Sequence, residues 1–322
     1  MKKLFFSTIS LMITGALVSG CGQSQKPVAG DTQSKGEEAK KQFVIGVSMS
    51  AHDQYLKVVT DGMEKKAKEL GVTLKAYNAD GNIQTQLNDV DNLLTQKVDA
   101  IILNPVDRDG LDAAVDKIKQ AKIPLVETVA FTKNNKYDVF VGSKEENAGR
   151  IQGEFIINKI GKKGKMVILH GPMGQSGEIG RYEGLKEALL SKYPDWQVLA
   201  EQPGDWSRDK GMKIMEDWLQ RYKDIDVVAA QNDEMALGAI AAIEAAGKTE
   251  KIAVLGVDAQ PDAVQAVIDG KMKMTILQDA TKQGEEAVKV TQGLLKGEKF
   301  EQNHVIPSIE VNHDNAKDFL KK

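Results

Sequence analysis

This sequence contains few cysteine and histidine residues, and its net charge is small. Its 322 residues include 1 cysteine and 4 histidines, and the formal net charge is −3. A single cysteine excludes a disulfide within the chain, and so few Cys and His residues form no cluster with zinc-ligand spacing. The small net charge argues against a nucleic-acid-binding protein, because such proteins gain affinity by neutralising phosphates. We therefore expect no metal, no cofactor and no nucleic-acid partner.

The motifs of nucleotide-binding and nucleophilic enzymes are also missing. No nucleophile with a neighbouring base stands out in the sequence. The glycine-rich stretch 171–177 lacks the Lys-Ser/Thr pair of a P-loop, and the first predicted strand, 43–49, lacks a G-x-G-x-x-G pattern. We interpret 171–177 as a turn that sets Arg181 at a cleft, and we predict that the protein is not an enzyme.

The first 20 residues have the pattern of an export signal. The basic pair Lys2-Lys3 precedes an apolar run, 4–18, which is too short to span a membrane comfortably. The run ends at Val18-Ser19-Gly20-Cys21, which resembles a bacterial lipobox. We expect cleavage before Cys21 and a diacylglycerol on its thiol; the alternative is an ordinary signal peptide with an incidental cysteine. Residues 21–41 hold this cysteine and a polar stretch that predicts a flexible tether.

Strand and helix patterns alternate from residue 42 onward. With 41% hydrophobic and 28% charged residues, the chain can build a sizeable core, and its length is enough for two domains. Predicted strands are 43–49, 72–77, 100–103, 124–128, 138–141, 165–169, 196–200, 227–230, 252–257, 272–277 and one near Val305. Predicted helical patterns are 55–70, 83–94, 111–121, 181–189, 212–219, 237–243 and 283–295. This alternation is typical of an α/β fold with parallel sheets covered by helices, here in two lobes.

One stretch, 225–238, shows how such a fold would present a ligand site. Residues 227–230 form an apolar run, as expected of a strand buried on both faces, and a helical pattern follows at once. We expect Asp233 to cap that helix and Asn232 to stand just beyond the carboxyl end of the strand, where open α/β sheets hold ligands. The alternative is that Asn232 only supports the turn.

Similar polar residues follow other strands. They are Asp53, Asn104, Asn232, Asp258 and Gln278, with Arg181, Trp206 and Tyr55 on neighbouring loops or helix starts. Carboxylates and amides pair with vicinal hydroxyls, and flat aromatic rings offer an apolar face to the C–H face of a sugar. Taken singly, Asp258 could cap a helix, Trp206 could be core and Arg181 could form a surface ion pair. Together these residues predict a site for a neutral polyol.

The chain resembles the periplasmic sugar-binding proteins that include ribose-binding and glucose/galactose-binding proteins. The resemblance extends from Phe43 to the C-terminus, and its most specific segments are 45–49, 104–107, 205–208, 231–238, 256–259 and 277–280. It implies two doubly wound lobes that close on a ligand around three crossover strands. The family's contact positions fall on Asp53, Tyr55, Asn104, Arg181, Trp206, Asn232, Asp258 and Gln278. The lobes implied are 42–145 plus 279–304 and 146–278 plus 305–322.

Several segments indicate which branch of the family is most similar. The Asp-Trp-Ser-Arg, Asn-Asp-Glu-Met-Ala and Val-Asp-Ala segments are most similar to the inositol-binding branch. Ribose-binding relatives carry Asp-Arg after the fourth strand, where this chain has Val129-Ala130 preceded by Glu127. The His and Asp that glucose/galactose-binding relatives carry before the arginine are replaced by Gln175 and Gly177. Glu127 is either a ligand contact or the partner of a lysine.

The resemblance implies a lipid-anchored, extracytoplasmic solute-binding protein. We expect it to act as a monomer, to capture a monosaccharide or cyclitol, and to deliver it to the permease of an ABC importer. One alternative is a sugar receptor for a membrane chemosensor or two-component sensor. An extracellular enzyme acting on sugars is disfavoured because no catalytic pair is visible. A transcription-factor effector domain would share the fold, but the export signal argues against it.

Overall fold

The structure is a computed structural model that describes residues 42–320. The predicted signal peptide, Cys21 and the tether up to residue 41 lie outside this range. Within it, no helix has the length and apolar character needed to cross a membrane.

The first half of the described chain alternates five strands with three helices. The strands are β1 (Val44–Met49), β2 (Thr73–Asn78), β3 (Ala100–Leu103), β4 (Leu125–Thr128) and β5 (Val139–Gly142). The helices are α1 (Gln54–Leu70), α2 (Ile83–Thr95) and α3 (Asp112–Gln120). Each strand lies within one residue of its predicted bounds, because strands buried on both faces stand out in the sequence as short apolar runs.

The second half repeats the alternation with two helices that the apolar pattern does not predict. The strands are β6 (Gly164–His170), β7 (Trp196–Pro203), β8 (Val227–Ala230), β9 (Ala253–Leu255) and β10 (Met274–Leu277). The helices are α4 (Glu145–Phe155), α5 (Ser176–Leu185), α6 (Arg208–Arg221), α7 (Asp233–Ala245) and α8 (Pro261–Ile268). Short π-helical turns extend α4 to Ile160 and α5 to Leu190. The unpredicted helices are α4 and α8.

The last elements of the described chain add one edge strand to each sheet. They are α9 (Ala280–Leu295), β11 (Asn303–Val305) and β12 (Ile309–Asn312). Helix α9 packs on α1 and on β3, β4 and β5, and β11 pairs in parallel with β5. Strand β12, which was not predicted, pairs antiparallel with β10, so the second sheet is mixed rather than purely parallel. The chain passes between the sheets three times, at 143–144, 278–279 and 306–308.

The strand order explains where a ligand site forms. The first sheet has the order β11-β5-β4-β3-β1-β2, and the second has β12-β10-β9-β8-β6-β7. In each sheet the first strand of its half, β1 or β6, lies between the next two along the chain, so the strand order reverses there. Open α/β sheets bind ligands at such reversals, outside the carboxyl ends of the strands. The loops after β1 and β3 in one sheet, and after β6 and β8 in the other, therefore border the site.

The cap of α7 differs from the prediction. Asn232, not Asp233, is the N-cap, and its side-chain oxygen accepts from the main-chain N–H of Met235 at 3.0 Å. Asp233 is fully buried and instead accepts from Gln260 N–H at 2.8 Å and from the Thr275 hydroxyl at 2.6 Å. Asp233 thus ties the start of α7 to the loop after β9 and to β10, while Asn232 performs the capping role.

Candidate functional site

A cavity of about 710 Å³ lies between the loops that follow the strands of the two sheets. Ligand sites for small molecules commonly have volumes of about 300–1,000 Å³. The structure brings seven of the eight predicted ligand-binding residues to the lining of this cavity: Asp53, Tyr55, Asn104, Arg181, Trp206, Asn232 and Asp258. The eighth, Gln278, is buried and contacts the guanidinium of Arg181.

Asp53 and Asn104 belong to the first lobe and line the cavity. Asp53 is the N-cap of α1, where one carboxylate oxygen accepts from Leu56 N–H at 2.7 Å. Burial raises the pKa of Asp53, and hydrogen bonds from the main chain lower it in part. Asn104 accepts from the hydroxyl of Ser50 at 2.6 Å and donates to the main-chain oxygen of Thr128 at 3.1 Å. Both side chains line the cavity, where their carboxylate and amide groups can also bond to a ligand.

Arg181 is the central cation of the second lobe. It lies in the second turn of α5 and is 6% exposed. Its Nε donates to a carboxylate oxygen of Glu145 at 2.7 Å, one terminal nitrogen donates to the main-chain oxygen of Gln231, and the other donates to Gln278 Oε1 at 2.7 Å. Burial lowers the pKa of Arg181, but Glu145 and Asp258 outweigh that effect and the net shift is upward. A fixed guanidinium therefore stays charged in this cavity.

Trp206 forms the apolar wall beside this cation. The Arg181 guanidinium carbon lies 5.2 Å from the Trp206 ring centroid, within range of a cation–π interaction. The indole N–H donates to Gln175 Oε1 at 2.9 Å, which fixes the ring plane. Gly171 underlies the ring so closely that an added Cβ would lie 2.1 Å from ring atoms. The ring face therefore has one defined position at the cavity.

Asp258 completes the second-lobe side of the cavity. It follows β9, is 6% exposed, and has a φ of 120°, a backbone conformation that L-residues rarely adopt. One carboxylate oxygen lies 3.8 Å from a terminal nitrogen of Arg181. Burial raises the pKa of Asp258 well above its usual range, and attraction to Arg181 opposes the rise. Strained backbone and a perturbed carboxyl together are features that cluster at functional sites.

The cavity is connected to the passages between the sheets by a chain of hydrogen bonds. The Tyr55 hydroxyl donates to the main-chain oxygen of Gln278 at 3.1 Å and accepts from Gln283 Nε2 at 3.0 Å. Gln283 also reaches the Ser143 hydroxyl at 3.4 Å, and that hydroxyl donates to the main-chain oxygen of Ile306 at 2.9 Å. Gln278, Ser143 and Ile306 belong to the three different passages, so one network joins all of them to a cavity residue.

Direct hydrogen bonds also join the two lobes at the cavity. The main-chain N–H of Arg108 donates to the main-chain oxygen of Gly174, and that of Phe131 donates to the Ser176 hydroxyl, each at 3.0 Å. Arg108 and Phe131 follow β3 and β4, whereas Gly174 and Ser176 follow β6. The described arrangement therefore brings loops of both lobes into contact.

Glu145 and Gln175 are cavity residues that the sequence analysis did not place in the site. Glu145 begins α4 and is 3% exposed, and its carboxylate accepts from Arg181 and from Gln278 Nε2, the latter at 3.0 Å. Two consecutive acids, Glu145-Glu146, are a usual start of a helix and could have indicated α4. Gln175, at a position where the sequence departs from glucose/galactose-binding relatives, accepts from the Trp206 indole N–H.

Glu127 is fully buried. It does not line the cavity, and its hydrogen-bond partner is Thr132 rather than a lysine. Its two carboxylate oxygens accept from the main-chain N–H and the hydroxyl of Thr132, both at 2.7 Å. Burial raises its pKa from 4.5 to about 7. The lysine pairing considered for Glu127 is therefore wrong, and its role is to hold the loop that follows β4 and lines the cavity with Val129 and Ala130.

The chemistry of the cavity is that of multiple hydrogen bonds beside an aromatic face. Carboxylates, amides and a guanidinium can together donate to and accept from several hydroxyls of one ligand. Among residues 42–320, no group of three or more His, Cys, Asp or Glu side chains is arranged to hold a metal ion.

Comparison with known proteins identifies the family. The profile of the periplasmic binding protein domain matches residues 45–299. The xylitol-binding protein of Mycolicibacterium smegmatis is 34% identical over 298 residues, covering 92% of this chain and 82% of the relative. The ribose import binding protein of Bacillus subtilis is 33% identical over 269 residues, covering 83% and 87% of the two chains.

A solved structure agrees with this assignment. The chain superposes with a TM-score of 0.84 and 34% identity on an ABC transporter solute binding protein from Bacillus halodurans with bound myo-inositol, covering 87% of this chain and 98% of that one. The two sheets with their alternating helices match the type I two-lobe fold. This chain therefore belongs to the periplasmic sugar-binding proteins of the periplasmic binding protein domain family.

Proposed function

We propose that the protein is a lipid-anchored, extracytoplasmic receptor that captures a neutral monosaccharide or cyclitol, inositol-like or glucose/galactose-like, for an ABC importer. The observation that carries this proposal is the pairing of Arg181 with Trp206 in a cavity lined by polar side chains from both lobes. The eight residues predicted from the sequence form the proposed contact set, with Gln278 acting through Arg181.

The side chains support a polyol rather than an apolar or ionic ligand. Asp53 and Asp258 can each accept from a pair of adjacent hydroxyls, and Asn104 and Arg181 can donate to hydroxyl oxygens. Trp206 supplies a flat surface for the C–H face of a ring. A ligand with many hydroxyls and one apolar face satisfies all of these groups at once, and buried polar groups without partners are costly.

The relatives point to the same ligand class. Their names or bound ligands are xylitol, ribose and myo-inositol, which are all uncharged polyhydroxy compounds. The likeness to the inositol-bound protein, together with the three inositol-like segments of the sequence, favours a cyclitol over ribose. Stereochemical preference depends on the placement of individual hydroxyl partners.

Closure of the two lobes is the proposed mechanism. We take the predicted 42–145 plus 279–304 as one body and 146–278 plus 305–322 as the other, with bounds that fall within two residues of the three passages. A ligand that contacts both bodies stabilises the closed arrangement over the open one, because only the closed arrangement offers all of its contacts. The direct bonds from Arg108 and Phe131 to the opposite lobe would add to this preference.

Thermal unfolding of the purified chain tests the receptor proposal. The ligands are myo-inositol, xylitol, D-glucose, D-galactose, D-xylose and D-ribose. A ligand at 100 times its dissociation constant should add about 2.7 kcal/mol to the free energy of unfolding, which is readily seen. The Trp206→Ala chain is the control, since it should lose the response. No response of the wild type to any neutral polyol would contradict the proposal.

The anchor and the importer need separate tests in cells. Cys21→Ser should release the protein from membranes, whereas continued membrane retention would contradict lipidation at Cys21. Deletion of the gene should abolish uptake of the ligand found by thermal unfolding. Unchanged uptake with a lost transcriptional or chemotactic response would indicate the sensor alternative instead.

A further inference from the structure

More acidic than basic side chains line the cavity, and the two basic side chains differ in burial and in their partners. Two cations line it, Arg181 and Lys210. The acids that line it are Asp53, Asp80, Asp107, Glu145, Asp205 and Asp258. Lys210 is half exposed at the mouth and forms an ion pair with Asp205 at 2.6 Å. Arg181 is therefore the deeply buried cation, and the groups around it decide which ligand charge is tolerated.

Glu145 is the counter-ion in direct contact with Arg181. Its carboxylate oxygen lies 2.7 Å from Arg181 Nε, closer than Asp258, whose oxygen lies 3.8 Å from a terminal nitrogen. Both partners are nearly fully buried, so solvent screens the pair weakly. Glu145 also lies in the first turn of α4, where the helix dipole favours a negative charge. The carboxylate is thus held at this position by two independent electrostatic effects.

The pairing leaves Arg181 able to donate hydrogen bonds while its charge is compensated. Three of its five N–H groups go to Glu145, Gln231 and Gln278, and two remain. An uncharged hydroxyl needs only such a donor. An anionic ligand would gain from an uncompensated positive charge, and instead would meet the carboxylate of Glu145 beside the carboxyl groups of Asp53 and Asp258.

We propose that Glu145 is a specificity-determining residue that neutralises Arg181, so that the cavity accepts neutral polyols and rejects sugar acids and sugar phosphates. The proposal rests on the proposed function, because it concerns the charge of the ligand bound at the same cavity. An uncharged side chain could also accept a hydrogen bond from Arg181. The proposed role therefore depends on the negative charge of Glu145 and not only on its hydrogen bond.

The test compares matched neutral and anionic ligands by calorimetry on the full chain and on Glu145→Gln. The pairs are D-glucose with D-glucuronate, D-galactose with D-galacturonate, D-ribose with D-ribose 5-phosphate, and myo-inositol with myo-inositol 1-phosphate. The amide oxygen of the substituted side chain can still accept from Arg181. For a unit charge about 6 Å from the ligand anion and an effective dielectric constant of about 20, the expected change in relative affinity is about a hundredfold.

Two control variants separate charge from structure. Glu146→Gln removes the same charge from the same helical turn, but Glu146 does not line the cavity. It should leave the ratio of anionic to neutral affinity unchanged. Gln278→Leu removes the neutral partner shared by Glu145 and Arg181 without changing the charge. It should weaken both members of a pair alike.

A shift of the ratio of at least tenfold toward the anion in Glu145→Gln alone is the expected result. Binding of a neutral polyol with an unchanged ratio in Glu145→Gln would overturn the role of Glu145 and leave the receptor proposal intact. Tight binding of an anion by the wild type would overturn it as well. Failure of the wild type to bind any neutral member would overturn the receptor proposal and, with it, this inference.

Discussion

The hydroxyl of Tyr55, a residue of the cavity wall, donates a hydrogen bond of 3.1 Å to the main-chain oxygen of Gln278, a residue of the passage between the sheets. The same hydroxyl accepts from Gln283, which links it to the other two passages through Ser143 and Ile306. A ligand that packs on Tyr55 therefore touches a residue bonded to the segments about which the lobes would move.

We predict that Tyr55→Phe lowers the free energy of unfolding by about 1–2 kcal/mol, because a buried amide and a buried carbonyl each lose a partner. Ligand affinity should fall several-fold even though the aromatic face is kept. Chemical denaturation and calorimetry measure the two effects. Tyr77→Phe is the control, since the Tyr77 hydroxyl only accepts from Gln96 at an exposed position. Equal effects of the two substitutions would contradict the role given to Tyr55.

Trp206→Ala should remove most of the affinity without unfolding the protein. The ring is half-buried at the cavity, and truncation of an aromatic anchor typically costs about 2 kcal/mol or more, roughly a thirtyfold loss. Calorimetry gives the affinity, and circular dichroism checks the fold. Retained binding would remove Trp206 from the site.

Gly171→Ala should affect the cavity through the Trp206 ring. An added Cβ would lie 2.1 Å from ring atoms, so the ring must move, and overpacking of this kind typically costs about 1–3 kcal/mol. We expect lower stability and weaker ligand binding, measured by thermal unfolding and calorimetry. Gly177→Ala is the matched control in the same segment, because its Cβ would meet its nearest neighbours at 4.0 Å. Unaltered Trp206 fluorescence in Gly171→Ala would contradict the prediction.

The position of Glu127 predicts a dependence of stability on pH. Burial raises its pKa from 4.5 to about 7 in the folded protein. Between these values the folded state binds a proton that the unfolded state has released, so the free energy of unfolding falls as pH rises from 4.5 to about 7 and this contribution is constant above. The total fall from this group is on the order of 3 kcal/mol.

Glu127→Gln should be more stable than the wild type at neutral pH, with the difference vanishing toward pH 4.5. Its amide can accept from Thr132 N–H and donate to the Thr132 hydroxyl, so both bonds are kept. Thermal unfolding of both proteins across this range measures the difference. The contribution of Asp233, whose pKa is also raised by burial, is the same in both proteins and cancels. Glu64→Gln, at an exposed position of α1, is the control. A constant difference across pH would contradict the assignment.

Much of the fold follows from the sequence because its strands are buried on both faces. Residues 100–103 and 227–230 are uninterrupted apolar runs, and the structure has strands with these same bounds. Polar residues directly after such runs are brought together by the topology, which is why Asn104 and Asn232 both reach the cavity.

Helix α4 shows why other parts could not be predicted in this way. Its buried face includes Gly149 and Gln152 in place of larger apolar residues. A Cβ at Gly149 would lie 1.9 Å from the main-chain oxygen of Arg181, so close packing on α5 requires glycine there. Gln152 is buried because it donates to the main-chain oxygens of Ala230, the last residue of β8, and of Gly256, which follows β9. Such a face has no apolar period, so Glu145 at its start was missed as well.

The N-cap of α7 illustrates a finer limit. Asn232 and Asp233 are both good capping residues, and sequence alone favours neither. The choice is made by Thr275 and Gln260, which hold Asp233 from distant parts of the chain. The exact residue at which a helix begins thus depends on tertiary contacts that the local sequence does not reveal.

The central claim is that one neutral polyol is held between a carboxyl side chain of each lobe, Asp53 and Asp258. Its most direct test is calorimetric titration of the wild type, Asp53→Asn and Asp258→Asn with the polyol that gives the largest thermal shift. Asparagine caps helices as well as aspartate, so Asp53→Asn should leave stability nearly unchanged. We predict that each substitution lowers affinity at least tenfold, about 1.4 kcal/mol. Wild-type affinity in either variant would show that the ligand does not bridge the two lobes through these residues.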